Sequence, residues 1–303
     1  MIDMIDTQAF TMLLALGTLW GAHFSLVKAA TFDQLPAAWL ATGLCLANAV
    51  LLQLIARIRQ KTPGTGAAHW AFFSACALTG YVLPLLCELF SVGTLGAGQL
   101  SLLVASTPLI TVLLGWLTGH TPPGRRRLLG VALGFASLML LLWPALRGAA
   151  PHTMAPWLTA GLVPLCYASY HLIVERFWPA QHDAWQVAGG EALACLVWLL
   201  PLLLWQQANV PAHWPGLAAL TPLAALSLCS VLEIWLYFAI VRRAGAVYVS
   251  QAGFLTVITG IAWGMLLFGE RHDGRVWLAA AGLAVALGVS SIATPNKSDT
   301  QQS

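Results

Sequence analysis

Residues 10–30 read FTMLLALGTLWGAHFSLVKAA, an apolar run broken only by small hydroxyls, one histidine and a lysine near its end. A bilayer core is about 30 Å thick, and a helix rising about 1.5 Å per residue crosses it in roughly 20 residues. A run this long and this apolar is a membrane span. Nine more of the same kind follow, at 36–56, 69–90, 97–119, 128–146, 155–175, 185–206, 216–240, 246–268 and 276–294, separated by short polar or Pro/Gly-rich breaks. In hydrocarbon every backbone polar group must find a partner within the protein, which helices provide. The pattern therefore predicts an all-α membrane protein of ten transmembrane helices.

Composition agrees. Of 303 residues 59% are hydrophobic and 8% charged, against about a quarter charged in soluble domains. A water-soluble fold would have almost nothing with which to cover its surface. The net charge of +3, from 14 Lys or Arg against 11 Asp or Glu, offers no basic face for nucleic acid. The breaks are too short to hold a soluble domain, which excludes a large extramembrane catalytic module. The six cysteines, at 45, 76, 87, 166, 195 and 229, lie inside apolar runs with no CxxC pair and read as small buried side chains, leaving no metal site. Residues 1–8 carry Asp3 and Asp6 but no basic group, so the first run lacks the n-region of a cleaved signal and is expected to stay as a helix.

Lys and Arg gather in cytoplasmic loops. With the N-terminus inside, Arg57, Arg59, Lys61, Arg125, Arg126, Arg127, Arg176, Arg242, Arg243 and Lys297 fall on the cytoplasmic side, and Lys28, Arg147, Arg271 and Arg275 outside. Ten against four predicts both termini cytoplasmic, in the inner (plasma) membrane.

The halves resemble each other. LWGAHFSLV at 19–27 lies without a gap over LCYASYHLI at 165–173, and GHTPPGR at 119–125 over GERHDGR at 269–275. Five helices is an odd number, so the second half must enter the membrane upside down, and the expected architecture is two inverted five-helix repeats. We place them at 1–148 and 149–294, with 295–303 a disordered cytoplasmic tail.

Leu19-Trp20-Gly21, the run from Gly96-Ala97-Gly98 to Pro108, Arg243-Ala244-Gly245-Ala246 and Leu267-Phe268-Gly269-Glu270, taken in this order over nearly the whole chain, resemble an EamA-type member of the drug/metabolite transporter superfamily. The first half has Gly119-His120 where the family usually has Gly-Glu, and Val257 stands where a proline is often found. The resemblance implies a central cavity and export of metabolites, amino acids or drugs by alternating access.

Ionisable groups held in hydrocarbon are costly and mark candidate sites. Glu233 lies nine residues before Arg242, roughly 13 Å into the membrane, where a carboxylate can take an amine or carry a coupling proton. Glu191 and Glu88, nearer the membrane faces, are further proton-coupling candidates, though snorkelling also explains them. Glu88 is eight residues before Gly96 and Glu233 twelve before Gly245, one turn apart on similar faces of paired helices. Trp20 and His23 share a helix face, as do Tyr167, Tyr170 and His171 in the paired sixth helix, and suit a substrate with a ring or a cationic nitrogen. Gln99, with Tyr248 and Gln251 in the paired ninth helix, puts polar groups near helix N-termini; ordinary interhelical bonding is the competing role. Gly17 with Gly21, and three similar pairs, read as close helix packing.

The function expected is a secondary transporter. No Lys follows a Gly, so a Walker A loop is absent and ATP is not the direct energy source. The expected partners are an amphipathic small molecule and the lipid bilayer, with a homodimer left open and no cofactor. The alternatives are an intramembrane enzyme on lipid-linked substrates, which the scattered Asp residues do not favour, and a passive channel, which would want rings of like side chains.

Overall fold

A computed structural model describes residues 6–31, 37–88, 90–91, 103–104, 106–119, 124–147, 154–209, 220–269, 271 and 274–291. Ten helices run through them: α1 (Thr7–Thr31), α2 (Ala37–Ile58), α3 (Ala67–Glu88), α4 (Thr107–Leu117), α5 (Arg125–Arg147), α6 (Met154–Arg176), α7 (Ala184–Asn209), α8 (Leu220–Ala244), α9 (Ala246–Phe268) and α10 (Gly274–Ser291). The predicted tail, Gln99, Gly96 to Gly98 and Glu270 lie outside the described residues.

The helices are apolar on both sides, as a lipid solvent requires. In α2 Cys45, Ala49, Leu52 and Ala56 are buried, while Leu46, Val50, Leu54 and Ile58 form an exposed stripe at four-residue spacing. In water such a stripe would be a liability; in a bilayer it is the lipid face. Exposed hydroxyls are satisfied within their own helices: Thr11, Thr18 and Thr159 each donate to the carbonyl four residues back. By length and hydropathy alone α3, residues 184–202 of α7, residues 223–244 of α8, and α9 qualify as spans among the described residues.

Packing follows the two halves. The helix that opens the first half, α1, packs on α8 and α9; the helix that opens the second, α6, packs on α3 and α4. Because α3 and α8, like α4 and α9, hold the same place in each half, these contacts are two-fold counterparts. Of the other large contacts, α2 with α7 and α5 with α10 join like to like across the same axis, and α3 also packs on α7. The architecture is ten helices in two inverted five-helix repeats.

Glycines set the closest approach. A Cβ at Gly17 would lie 2.3 Å from the Leu255 Cβ, and one at Gly21 would lie 2.7 Å from the backbone nitrogen of Gly260, so α1 and α9 meet with little between them. The contact is pinned by Thr259 Oγ1, which donates to the Gly17 carbonyl at 2.7 Å, and by Trp263 Nε1, which donates to the Thr18 carbonyl at 3.2 Å. Gly245 joins α8 to α9 in a single residue at φ +89°, a conformation that favours glycine. Glu175 occupies the place a Cβ would take and accepts the Ala246 N–H at 3.1 Å, capping α9. The Arg243-Ala244-Gly245-Ala246 string thus has a backbone reason.

One end of the bundle carries Arg57 to Lys61, Arg176 and Arg242–Arg243, and there the repeats are tied together. Asp183 accepts from Arg59 and Lys61, both at 3.3 Å, and Gln186 Nε2 donates to the Thr62 carbonyl at 3.1 Å. Asp183 and Gln186 also bond each other's backbone N–H, a capping box that starts α7. His182 Nε2 accepts the Gly64 N–H at 3.0 Å. Asp6 caps α1 through the Ala9 N–H and accepts from Nε and Nη2 of Arg243, at 2.6 and 3.1 Å. The Arg243 bond holds the Asp6 carboxyl below its ordinary range. Burial pushes Asp183 up, but the Gln186 N–H and the Lys61 and Arg59 side chains outweigh it, and the net shift is downward.

Candidate functional site

Two buried carboxyl groups, Glu233 and Glu191, and the half-buried Glu88 lie within the helices, each with a partner from another helix. One pair joins the halves through α1 and α8: Glu233 of α8, 5% exposed, faces His23 of α1, with Oε2 3.0 Å from Nδ1. Its other oxygen accepts from the Cys229 thiol at 3.2 Å, one turn earlier on the same face. Cys229 also lies 3.8 Å from the Leu19 carbonyl of α1. The His23 side chain retains 23% of its exposure against 6% for Glu233, so the imidazole is the outward member and covers the carboxylate. A charge at this depth persists only if paired, and the pairing residue comes from the opposite repeat.

Beside it, Asn48 of α2 donates through Nδ2 to the Ser230 hydroxyl at 2.7 Å. Ser230 is three residues before Glu233, so Asn48 borders the same face of α8. Its Oδ1 is buried and has no hydrogen-bond partner.

Glu88 of α3 accepts from the Tyr167 hydroxyl of α6 at 3.3 Å. This pair uses the same elements as Glu233 with His23: the third helix of one repeat and the first of the other. It is looser, and Glu88 is only half-buried. Glu191 of α7, 7% exposed, is engaged by the Tyr170 hydroxyl. The Tyr170 ring stacks on Tyr237 with centroids 4.8 Å apart, and His171 Nδ1 lies 2.8 Å from the Tyr237 hydroxyl. Here α3 switches to a π-helical turn over Leu78–Val82, where a Cβ on Gly80 would lie 2.9 Å from the Tyr170 ring. Such turns often occur at functional positions.

The sequence-predicted residues thus fall into separate groups. His23 and Glu233 come together. Tyr167 turns to Glu88, whereas Tyr170 and His171 are buried against α7 and α8. Trp20 is half-buried against the main core. Tyr248 and Gln251 are buried at the break where residues 246–250 of α9 give way to 252–268. Neither polar atom of the Gln251 side chain has a partner. Sequence reasoning missed Asn48, Cys229 and Ser230. The signal for Asn48 was present, as an amide inside an apolar run; that for Cys229 was its four-residue distance from Glu233. Among the described residues no group of three His, Cys, Asp or Glu side chains converges to hold a metal ion.

The model of the EamA-like transporter family matches residues 8–143 and again 156–292. No curated protein matches the chain. One chain of known crystal structure superposes with a TM-score of 0.74 over 94% of this chain and 98% of its own length, at 17% identity. That likeness speaks to the fold. Two family matches that between them take in nearly the whole sequence, on two halves packed about a two-fold, make this chain a member of the EamA-like transporter family.

Proposed function

We propose that this membrane transporter is a secondary exporter of small amphipathic metabolites, amino acids or drugs, working by alternating access with Glu233 and His23 at its centre. The observation that carries the reading is a buried carboxylate on α8 whose partner comes from α1 of the other repeat. A site built from both repeats changes its exposure whenever they rock against each other. A cationic or amine group displaces His23 from Glu233, and the positive charge that gives way is a proton or the protonated imidazole. Trp20 supports the site from α1, while Tyr167, Tyr170, His171, Tyr248 and Gln251 are assigned to the cargo's wider path between the helices. Glu88 and Glu191, each with a tyrosine partner, are the further carboxyls a coupling proton can use.

In this reading the basic end is cytoplasmic, both termini lie on the cytoplasmic face of the inner membrane, and the repeats divide at 148 and 149. The Arg59 and Lys61 bridges to Asp183 then close the cytoplasmic end in the state described. Transport of labelled amino acids, amines and aromatic drugs, one at a time, into sealed proteoliposomes holding a pH-sensitive dye tests the proposal. Saturable flux of at least one compound with a matching proton signal, both lost in Glu233→Gln, is the expected result. Flux that Glu233→Gln leaves intact refutes the role given to Glu233.

A further inference from the structure

Beside the Glu233 site is an acceptor without a donor. Asn48 Oδ1 is shielded from solvent, its residue is 5% exposed, and it has no partner, while the same amide's Nδ2 is fixed on Ser230 at 2.7 Å. A buried carbonyl oxygen left unpaired costs about 1–3 kcal/mol. Glu233, one turn from Ser230 on the same face of α8, has Oε1 taken by the Cys229 thiol and Oε2 facing His23. His23 is the more exposed of the pair, at 23% against 6% for Glu233, so it is the member an incoming group meets first.

From this we infer that the cargo's recognised group is a primary ammonium, which replaces His23 at Glu233 Oε2 and donates a second N–H to Asn48 Oδ1. The inference rests on the proposed role of Glu233 and narrows it. An ammonium carries three donors around one positive charge, matching one carboxylate and one neutral carbonyl on adjacent helix faces. A quaternary ammonium has the charge but no donor, so it leaves Asn48 Oδ1 unpaired and must hold its methyl groups against it. A carboxylate brings only acceptors to a face that already has two. Sites built to hydrogen-bond a polar group reject analogues that lack it, because the site's own buried group is then stranded. Asn48 is therefore a specificity-determining residue, and Ser230 positions it.

The test is a methylation series at constant charge: phenethylammonium, its N,N-dimethyl form and its N,N,N-trimethyl form, measured as half-saturating concentrations for flux in proteoliposomes of the intact protein. The unmodified protein is expected to weaken roughly tenfold to a hundredfold from the primary to the quaternary member, the range for a lost hydrogen bond to a charged group. Asn48→Leu is expected to flatten the series by weakening the primary amine alone, and Ser230→Ala to flatten it partly. Equal use of all three amines by the unmodified protein overturns the inference while the carrier reading stands, as does full discrimination retained in Asn48→Leu. Flux of other compounds but of none of the three overturns the ammonium assignment. Absence of saturable flux for every compound overturns the parent reading as well. The series on the unmodified protein needs no variant to fold.

Discussion

Replacing Gly21 with alanine tests the packing that brings His23 to Glu233. The new Cβ would stand 2.3 Å from Thr259 Oγ1, 2.7 Å from the Gly260 nitrogen and 2.9 Å from the Thr259 carbonyl carbon. Two of these are backbone atoms, which no rotamer change can move. Restoring ordinary contact distances requires α1 and α9 to part by roughly 1 Å, which stretches the Thr259 bond to the Gly17 carbonyl. Overpacking of this kind costs about 1–3 kcal/mol, and alanine returns up to about 1 kcal/mol of helix propensity. The net expectation is a loss of about 1–2 kcal/mol. Gly161 of α6, where an added Cβ would meet nothing within 4 Å, is the control: Gly161→Ala keeps the propensity gain and should be neutral to slightly stabilising. All six cysteines are free and at least partly buried, so a thiol-reactive dye reports unfolding in detergent on heating. Opposite signs for the two substitutions are predicted. A Gly21→Ala protein that melts with or above Gly161→Ala refutes the close approach of α1 to α9.

Other consequences concern the ends and the buried network. Tyr237→Phe strands His171 Nδ1, which now sits 2.8 Å from the hydroxyl, and should cost about 1–3 kcal/mol; the double variant with His171→Phe should recover part of that loss in the same thermal assay. Asp183→Ala removes a capping box worth about 1 kcal/mol together with two exposed bridges worth little, and a lowered melting point that high salt changes only slightly is expected. The Asp6 carboxyl is held below its ordinary range in the folded state by Arg243, so its stabilisation is present above the unfolded carboxylate pKa and is lost as pH falls through the lower folded value. Asp6→Asn should therefore melt below the parent at pH 7, by well under about 1 kcal/mol for so exposed a pair, and match it once the parent's Asp6 is protonated.

Much of the fold was legible in the sequence because lipid imposes a simple rule: about 20 apolar residues make a span, and every described helix falls on a predicted run. The π-helical turn at Leu78–Val82 had a local signal in Pro84, which has no N–H to give the Gly80 carbonyl four residues back, but a proline inside a span does not by itself distinguish a π-turn from a kink. At the site, Glu233 stood out because a carboxylate in hydrocarbon needs a reason. Its pairing with His23, 210 positions away, depends on how α1 crosses α8, which no local pattern encodes. The Asp183-Ala184-Trp185-Gln186 capping box was readable as a helix start, yet its second task, receiving Arg59 and Lys61, belongs to the tertiary arrangement. Tyr170 and His171 share a face in sequence, but that face packs on Tyr237 and Glu191 and leaves Tyr167 to meet Glu88 alone.

The claim that this chain is an alternating-access carrier is tested most directly by counterflow. Proteoliposomes are loaded with an excess of one unlabelled transported compound, and a trace of its labelled form is placed outside. A carrier whose single site faces each side in turn draws label in against its own gradient, so a transient overshoot above the equilibrium level is predicted for the parent and not for Glu233→Gln. Monotonic equilibration without overshoot in the parent would contradict the account and leave a passive pore as the better description.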